Sequence, residues 1–290
     1  MLLAIDIGNT NVVLGVFNGD RMITSLRLAT DLGRSADEYG ITIDQMFRHE
    51  GIDPGDIDDV IISTVVPSLL FTMQHMCLKY FDCTPLVVET GIKTGLRIKT
   101  DDPRQIGSDR IVNAVAAHSK YKCPLVVIDF GTATTFCAIT EDGDYLGGTI
   151  APGIKISASA LFEKTAKLPN VDLERPGKTI CKNTIQSIQS GLIYGHMGLT
   201  NYVVENMKKE MAEDYGVDPE KIKVVATGGL ATMVKSDIDC IDFIEKRLTL
   251  DGLVILYNKN RKNRKKKISQ SSTYTVTGSP ALICWPPWQG

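Results

Sequence analysis

The sequence of 290 residues lacks the features that mark several classes of protein. No apolar run approaches the ~18 residues that a membrane-spanning helix needs. The apolar start Leu2–Ile5 is interrupted by Asp6, too early for a signal peptide. The seven cysteines are scattered and form no C-x-x-C pair, which favours free buried thiols over disulfides or a zinc site. We therefore expect a cytoplasmic protein with no membrane partner.

The usual phosphate-binding and catalytic signatures are also missing. There is no G-x-G, which excludes the dinucleotide-binding fingerprint. The segment Gly177-Lys178-Thr179 is not a Walker loop, because Asp172 stands where the first glycine should be. None of the four histidines has a partner at catalytic or metal-binding spacing. Any phosphate chemistry must therefore depend on other residues.

Positive charge is scarce in most of the chain. Residues 1–257 carry 25 basic and 34 acidic side chains, a net charge of −9, whereas residues 258–290 carry seven basic residues and no acid. An acidic body argues against nucleic-acid binding, and it means that a phosphate ligand must arrive with a metal or meet locally placed donors.

The first half reads as strands and helices in the order βββαβαβ. Three short strands come first, and Asn18-Gly19-Asp20 forms a hairpin signal between the second and third. Ser35 and Glu38 have capping-box spacing, and Pro67 suits the first turn of a helix. The predicted strands are Leu2–Asp6, Val12–Phe17, Met22–Leu28, Val60–Val65 and Leu86–Val88, and the predicted helices run from Ser35 to His49 and from Pro67 to Tyr80.

The second half begins as the first does. After a helix in "GSDRIVNAVAAHSKY", three strands at Leu125–Asp129, Thr135–Thr140 and Tyr145–Ile150 repeat the meander, 123 residues further along the chain. A helical stretch is predicted from Thr184 to Tyr215 and a strand at Lys223–Ala226. We expect two α/β domains of one duplicated fold, 1–118 and 119–257, facing each other across a cleft, and a disordered basic tail at 258–290.

Two turns carry the polar residues suited to phosphate. In "AIDIGNTNVV", Gly8 lets a ligand approach the backbone, and Asp6 ends a strand with a carboxylate suited to Mg²⁺. The later "DFGTATT" offers Asp129 and Thr132 in the same way. Either turn alone could be a polar hairpin, but a matched pair predicts a polyphosphate held from both sides of the cleft.

Two further stretches are less specific. "IGSDR" places Asp109 and Arg110 at a predicted helix N-terminus, where they could cap the helix or act as a general base beside an anion-binding arginine. "VVATGGLA" is a strand followed by a glycine pair, a place where a nucleoside can lie against backbone.

The ordered set "DIGNTN", "GSDR", "DFGTATT", "GGTIAPG" and "ATGGLA" resembles type III pantothenate kinase, a family of the acetate and sugar kinase/heat-shock chaperone/actin superfamily. The resemblance covers residues 1–257. It implies two ribonuclease H-like, actin-like ATPase domains. It also implies ATP-dependent phosphorylation of pantothenate to 4'-phosphopantothenate, the first step of coenzyme A biosynthesis, by a homodimer with the helix from Thr184 as its interface.

The resemblance also implies roles for individual residues. Asp109 is the expected base, Asp129 the ligand of a monovalent cation (K⁺ or NH₄⁺), and Asp6 the residue beside Mg²⁺. The expected ATP-binding residues are Asp6, Ile7, Gly8, Asn9, Thr10, Asn11, Val12, Val13 and Thr132. The expected pantothenate-binding residues are Thr100, Gly107, Ser108, Asp109, Arg110 and Thr184.

Two departures from the family pattern stand out. Thr100 replaces an expected aromatic residue in "GLRIKTDDP", and family chains usually end near Tyr257. Two alternatives remain open at the level of sequence. One is another small-molecule kinase of the superfamily, such as a sugar kinase, and the other is a non-catalytic regulator like the relatives described as Bvg accessory factors.

Overall fold

The computed structural model describes residues 1–235 and 238–271, the side chains of 234, 235 and 262–271 excepted. It is a mixed α/β fold with two sheets. The strands are β1 Leu2–Ile7, β2 Asn11–Asn18, β3 Arg21–Ala29, β4 Asp59–Thr64, β5 Leu86–Val87, β6 Arg97–Ile98, β7 Leu125–Phe130, β8 Ala133–Ile139, β9 Asp144–Pro152, β10 Lys223–Thr227 and β11 Phe243–Ile244. The helices are α1 Ala36–His49, α2 Pro67–Phe81, α3 Ser108–Tyr121, α4 Ile154–Glu163, α5 Thr184–Tyr215, α6 Ala231–Lys235 and α7 Leu248–Ser271.

Both sheets follow the same plan around their meanders. The first sheet has the order β3-β2-β1-β4-β5, and the second has the order β11-β10-β7-β8-β9-β6. In each, the first meander strand pairs antiparallel with its successor and parallel with a later strand. Asp6 lies in register with Ser63, and Asp129 lies in register with Thr227. The two carboxylates therefore occupy equivalent places at the carboxyl ends of parallel strands.

Helix α3 lies between the two sheets. Val112 and Val115 pack with Leu2 and Ala4 of β1, whereas Ala114, Ala116 and Ala117 pack with β7 and β8 of the second sheet. Residues 112–117 are all buried, as expected for a helix covered on every side. The N-terminus of α3 thereby reaches the level of the polar turns of both sheets, which is what positions the site.

Most elements agree with the sequence predictions. The capping box of Ser35 and Glu38 is formed, with both reciprocal hydrogen bonds present. The helix predicted from Thr184 to Tyr215 has those bounds and ends at Gly216 in the left-handed region. The sequence missed β6, because a strand of two residues shows no alternation. The predicted division at residue 118 falls inside α3, and the duplication itself stays a prediction.

The tail prediction was wrong for residues 258–271, which continue α7 as helix. The first turns of α7 are held by Leu250, Leu253 and Leu256, which pack with β1 and α3. Asn260 then accepts a hydrogen bond from the Lys93 amide at 3.1 Å and donates to the Lys93 carbonyl at 3.0 Å. Lysine and arginine have high helix propensity, so a helix nucleated by this packing continues through them. Residues 272–290 lie outside the described part of the chain.

Among the described helices, none is both long enough and apolar enough to cross a membrane.

Candidate active site

The two polar turns meet across the space between the sheets. The Thr10 and Thr132 hydroxyl oxygens lie 2.8 Å apart, although the residues are 122 positions apart in sequence. The Gly8 amide donates to the Asn11 carbonyl at 3.0 Å, and the Gly131 amide donates to the Ala133 carbonyl at 3.1 Å. Each turn is thus closed by a hydrogen bond from its glycine.

Neighbouring strands fix the shapes of both turns. In the first, the Thr30 hydroxyl donates to the Gly8 carbonyl at 2.6 Å. In the second, the Gly153 amide donates to the Thr132 carbonyl at 3.2 Å. A Cβ added at Gly153 would lie 2.2 Å from that carbonyl oxygen, so the "GGTIAPG" segment can approach the turn this closely only with glycine there.

Asp129 is held by hydrogen bonds that involve α3 and α7. The Asn113 amide donates to Asp129 Oδ2 at 2.9 Å, and the Thr249 hydroxyl donates to Asn113 Oδ1 at 2.8 Å. The glycine pair after β10 packs directly against the same carboxylate. Gly228 has a φ of +96°, and a Cβ there would lie 2.5 Å from Asp129 Oδ1.

The start of α3 is tied to the end of β4. The Ser108 hydroxyl donates to the Thr64 carbonyl at 2.8 Å and accepts from the Thr64 amide at 3.1 Å. Asp109 Oδ1 accepts from the Arg110 amide at 2.8 Å. A Cβ at Gly107 would lie 2.5 Å from Asp109 Oδ1, so the carboxylate folds over this glycine.

Two carboxylates of the site, Asp6 and Asp129, have pKa values that their acidic neighbours raise. Burial, followed by the negative charges of Asp109 and Asp129, raises the pKa of Asp6 to about 7. Burial and the charge of Asp109 raise the pKa of Asp129 to about 6. Burial also raises the pKa of Asp109, against the lowering effect of the Arg110 amide and guanidinium. When all three carboxyl groups are ionised, the site carries more negative charge than Arg110 offsets.

Arg110 stands beside this acidic group without an ion pair among the described residues. Its Nε donates to the Cys137 sulfur at 3.3 Å. Nearby, Thr100 Oγ1 is buried and has no hydrogen-bond partner in the described part of the chain. A buried hydroxyl without a partner costs free energy.

The family model of type III pantothenate kinase matches residues 2–206. The chain belongs to this family.

Kinases of the family use ATP as a substrate, and a member binds a small-molecule acceptor as well. Among solved structures, the chain is similar to a Baf family transcriptional activator from Campylobacter jejuni. The two are 19% identical with a TM-score of 0.55, over 90% of this chain and 99% of that one. A ROK hexokinase from Thermus thermophilus is 12% identical with a TM-score of 0.48, over 90% and 99% of the two chains. The likeness to the Campylobacter protein concerns the fold alone.

The structure brings together most of the residues that the sequence singled out. The two turns meet through Thr10 and Thr132, and the charge of Asp109 raises the pKa values of Asp6 and Asp129. Thr184 lies elsewhere, as the first residue of α5. It lines a surface cavity of about 500 Å³ whose walls include Leu168 and Lys182 and none of residues 107–110.

Sequence reasoning missed the residues that hold the site in shape. Asn113, Thr249 and Thr30 are ordinary members of predicted elements or loops. Asn113 could have been noticed as a polar residue within the apolar run "IVNAVAA". In the structure its side chain is 2% exposed. A buried amide needs partners, and here they are Asp129 and Thr249.

Proposed function

We propose that the protein transfers the γ-phosphoryl group of ATP to the primary hydroxyl of pantothenate, giving 4'-phosphopantothenate for coenzyme A biosynthesis. One observation carries the proposal: Asp109 and Arg110 are adjacent at the N-terminus of α3, beside the paired phosphate turns, and Arg110 has no ion pair in the described residues. A base next to a guanidinium that forms no ion pair suits an acceptor with both a hydroxyl and a carboxylate. Pantothenate has both groups.

The proposed reaction is an in-line transfer. The two turns hold the ATP phosphates, with Asp6 through Val13 on one side and Thr132 on the other. The acceptor oxygen bonds to the γ-phosphorus, the bond from the γ-phosphorus to the bridging oxygen breaks, and ADP leaves. Asp109 takes the hydroxyl proton. A raised pKa suits this task, because a general base works best when its pKa is near the working pH.

Two cations fit the charge of the site. Asp6 and Asp129 are carboxylates with pKa values raised by burial and by the charge of Asp109, and carboxylate oxygens are ligands that hard cations prefer. We assign Mg²⁺, arriving with ATP, to Asp6 and a monovalent cation, K⁺ or NH₄⁺, to Asp129. When bound, these ions offset the charge of the phosphates.

The proposal extends to architecture. The equal strand orders around the two meanders support two duplicated actin-like ATPase domains. We also propose a homodimer through α5, on which Ile185 and Tyr202 are 51% and 70% exposed. Thr184, at the start of the same helix, is also a proposed substrate-binding residue. Within one chain, the cavity that it lines does not include residues 107–110.

A coupled assay of ADP release tests the function. Purified protein is given Mg·ATP and K⁺ with pantothenate, or with each member of a panel of sugars. We expect ADP release with pantothenate and background release with the sugars. Release with a sugar alone would indicate a sugar kinase, and no release with any acceptor would favour a regulator without catalysis.

A further inference from the structure

Arg110 rests on a small cluster of the second sheet, formed by Cys137, Tyr145 and Gly148. Cys137 is 3% exposed and lies on β8, and Tyr145 is fully buried on β9. Cys137 lies in register with Gly148 of β9. The cluster belongs to strands on which the sequence shows no site, and the reaction proposed above gives Cys137 and Tyr145 no role.

The cluster fixes one edge of the guanidinium. Arg110 Nε donates to Cys137 Sγ at 3.3 Å, and the Tyr145 hydroxyl donates to the same sulfur at 3.2 Å. The sulfur thus accepts hydrogen bonds from two side chains. Because Nε is engaged, the Nη groups are left as the edge that can meet a carboxylate with two parallel hydrogen bonds.

Gly148 provides the space for this arrangement. A Cβ at this position would lie 2.9 Å from Arg110 Nη2 and 1.8 Å from the Phe136 carbonyl oxygen. Any other residue would push the guanidinium away or separate β8 from β9. The thiol and the glycine together define the place of the guanidinium, the thiol by a hydrogen bond and the glycine by leaving room.

The choice of a thiol also preserves the charge of Arg110. Burial raises the pKa of the Cys137 thiol, which is therefore neutral at physiological pH. The neutral sulfur therefore orients the guanidinium without offsetting its positive charge.

We propose that Cys137, supported by Tyr145, is a positioning residue that orients Arg110 toward the carboxylate of the acceptor. The inference rests on the proposed function for the identity of the acceptor. The orientation of Arg110 by Cys137 is a property of the protein alone.

The test compares Cys137→Ala, Cys137→Ser and Tyr145→Phe with the matched control Cys77→Ala, which removes a buried thiol from the core of the first sheet. In Cys137→Ala, we expect the KM for pantothenate to rise ~10-fold, while the KM for ATP and kcat change less than about two-fold. Cys137→Ser keeps an acceptor and should stay within about three-fold of wild type. Tyr145→Phe should fall between the two, and Cys77→Ala should match wild type.

A second readout does not depend on the substrate. The Nε–Hε resonance of Arg110, identified by its loss in Arg110→Lys, should shift in Cys137→Ala and stay in place in Cys77→Ala. If the wild type fails to phosphorylate pantothenate, the proposed function is wrong, and the resonance alone decides the positioning role. A resonance that is unmoved in a folded Cys137→Ala protein overturns the proposal. So does an unchanged KM for pantothenate in an active one.

Discussion

The hydroxyl oxygens of Thr10 and Thr132 lie 2.8 Å apart and join the turns of two separate sheets. Both residues lie in turns that are closed by glycine and are otherwise rich in amides and hydroxyls. We expect a phosphate chain to meet donors from both turns at this contact.

Removing either hydroxyl should weaken nucleotide binding. We expect Thr10→Val and Thr132→Val each to raise the dissociation constant of a non-hydrolysable ATP analogue ~10-fold, because each removes a donor to a charged group. Titration calorimetry in the presence of Mg²⁺ measures this effect. Thr24→Val serves as the control, because the Thr24 hydroxyl on β3 donates to Glu50 and belongs to neither turn. Normal affinity in both cleft variants would show that the paired turns do not hold ATP.

The ligand-free protein should lose stability as the pH rises. The pKa values of Asp6 and Asp129, about 7 and 6, are raised above the ordinary value of 3.8. The folded state therefore binds protons more tightly than the unfolded state. The stability from these two groups is fully present below about pH 4 and is lost as the pH rises through 6 and 7.

Asp129→Asn removes one of these charges. At pH 8 without ligands we expect its Tm to exceed that of the wild type by roughly 2–6 °C, with the difference shrinking toward pH 4. Scanning calorimetry across this pH range measures the effect, and Asp20→Asn on an exposed hairpin is the matched control. A lower Tm for Asp129→Asn at pH 8 would contradict the argument from crowded carboxylates.

The C-terminal helix should contribute stability up to Asn260 and little beyond it. Asn260 is 8% exposed, and its side chain forms hydrogen bonds with both the backbone amide and the backbone carbonyl of Lys93. Truncation after Asn258 should cost about 1–3 kcal/mol in the free energy of unfolding, whereas truncation after Arg261 should cost little. Urea unfolding of the two truncated proteins and of Asn260→Ala measures the difference. Equal stability of the two truncated proteins would show that Asn260 does not anchor the helix.

Local chemistry explains why the turns could be predicted from the sequence. Asp6, Gly8 and Thr10 lie within five residues between apolar strands, and the pattern recurs around Asp129, so a short window contains the signal. The partners of these residues come from distant elements. Asn113 meets Asp129, and Cys137 meets Arg110, only because α3 lies between the sheets. No spacing along the chain encodes such contacts.

In the tail, the sequence predicted disorder where the structure has a helix. Residues 258–271 have no hydrophobic period, which predicts disorder when the segment is considered alone. In the folded chain they follow helical turns that Leu250, Leu253 and Leu256 anchor in the core, so nucleation has already occurred. Packing of the preceding turns therefore starts the helix, and the helix propensity of the following residues allows it to continue.

The most direct test of the central claim replaces Asp109 by asparagine and measures pantothenate-dependent ADP release together with binding of both substrates. Asparagine keeps the size of the side chain but cannot accept the proton. We predict that kcat falls ~10²–10⁴-fold while pantothenate and the ATP analogue still bind. Asp6→Asn, by contrast, should weaken binding of Mg·ATP as well as turnover, because it removes charge beside the metal. Near-normal turnover by Asp109→Asn, or loss of ATP binding in Asp109→Asn with binding intact in Asp6→Asn, would contradict the account.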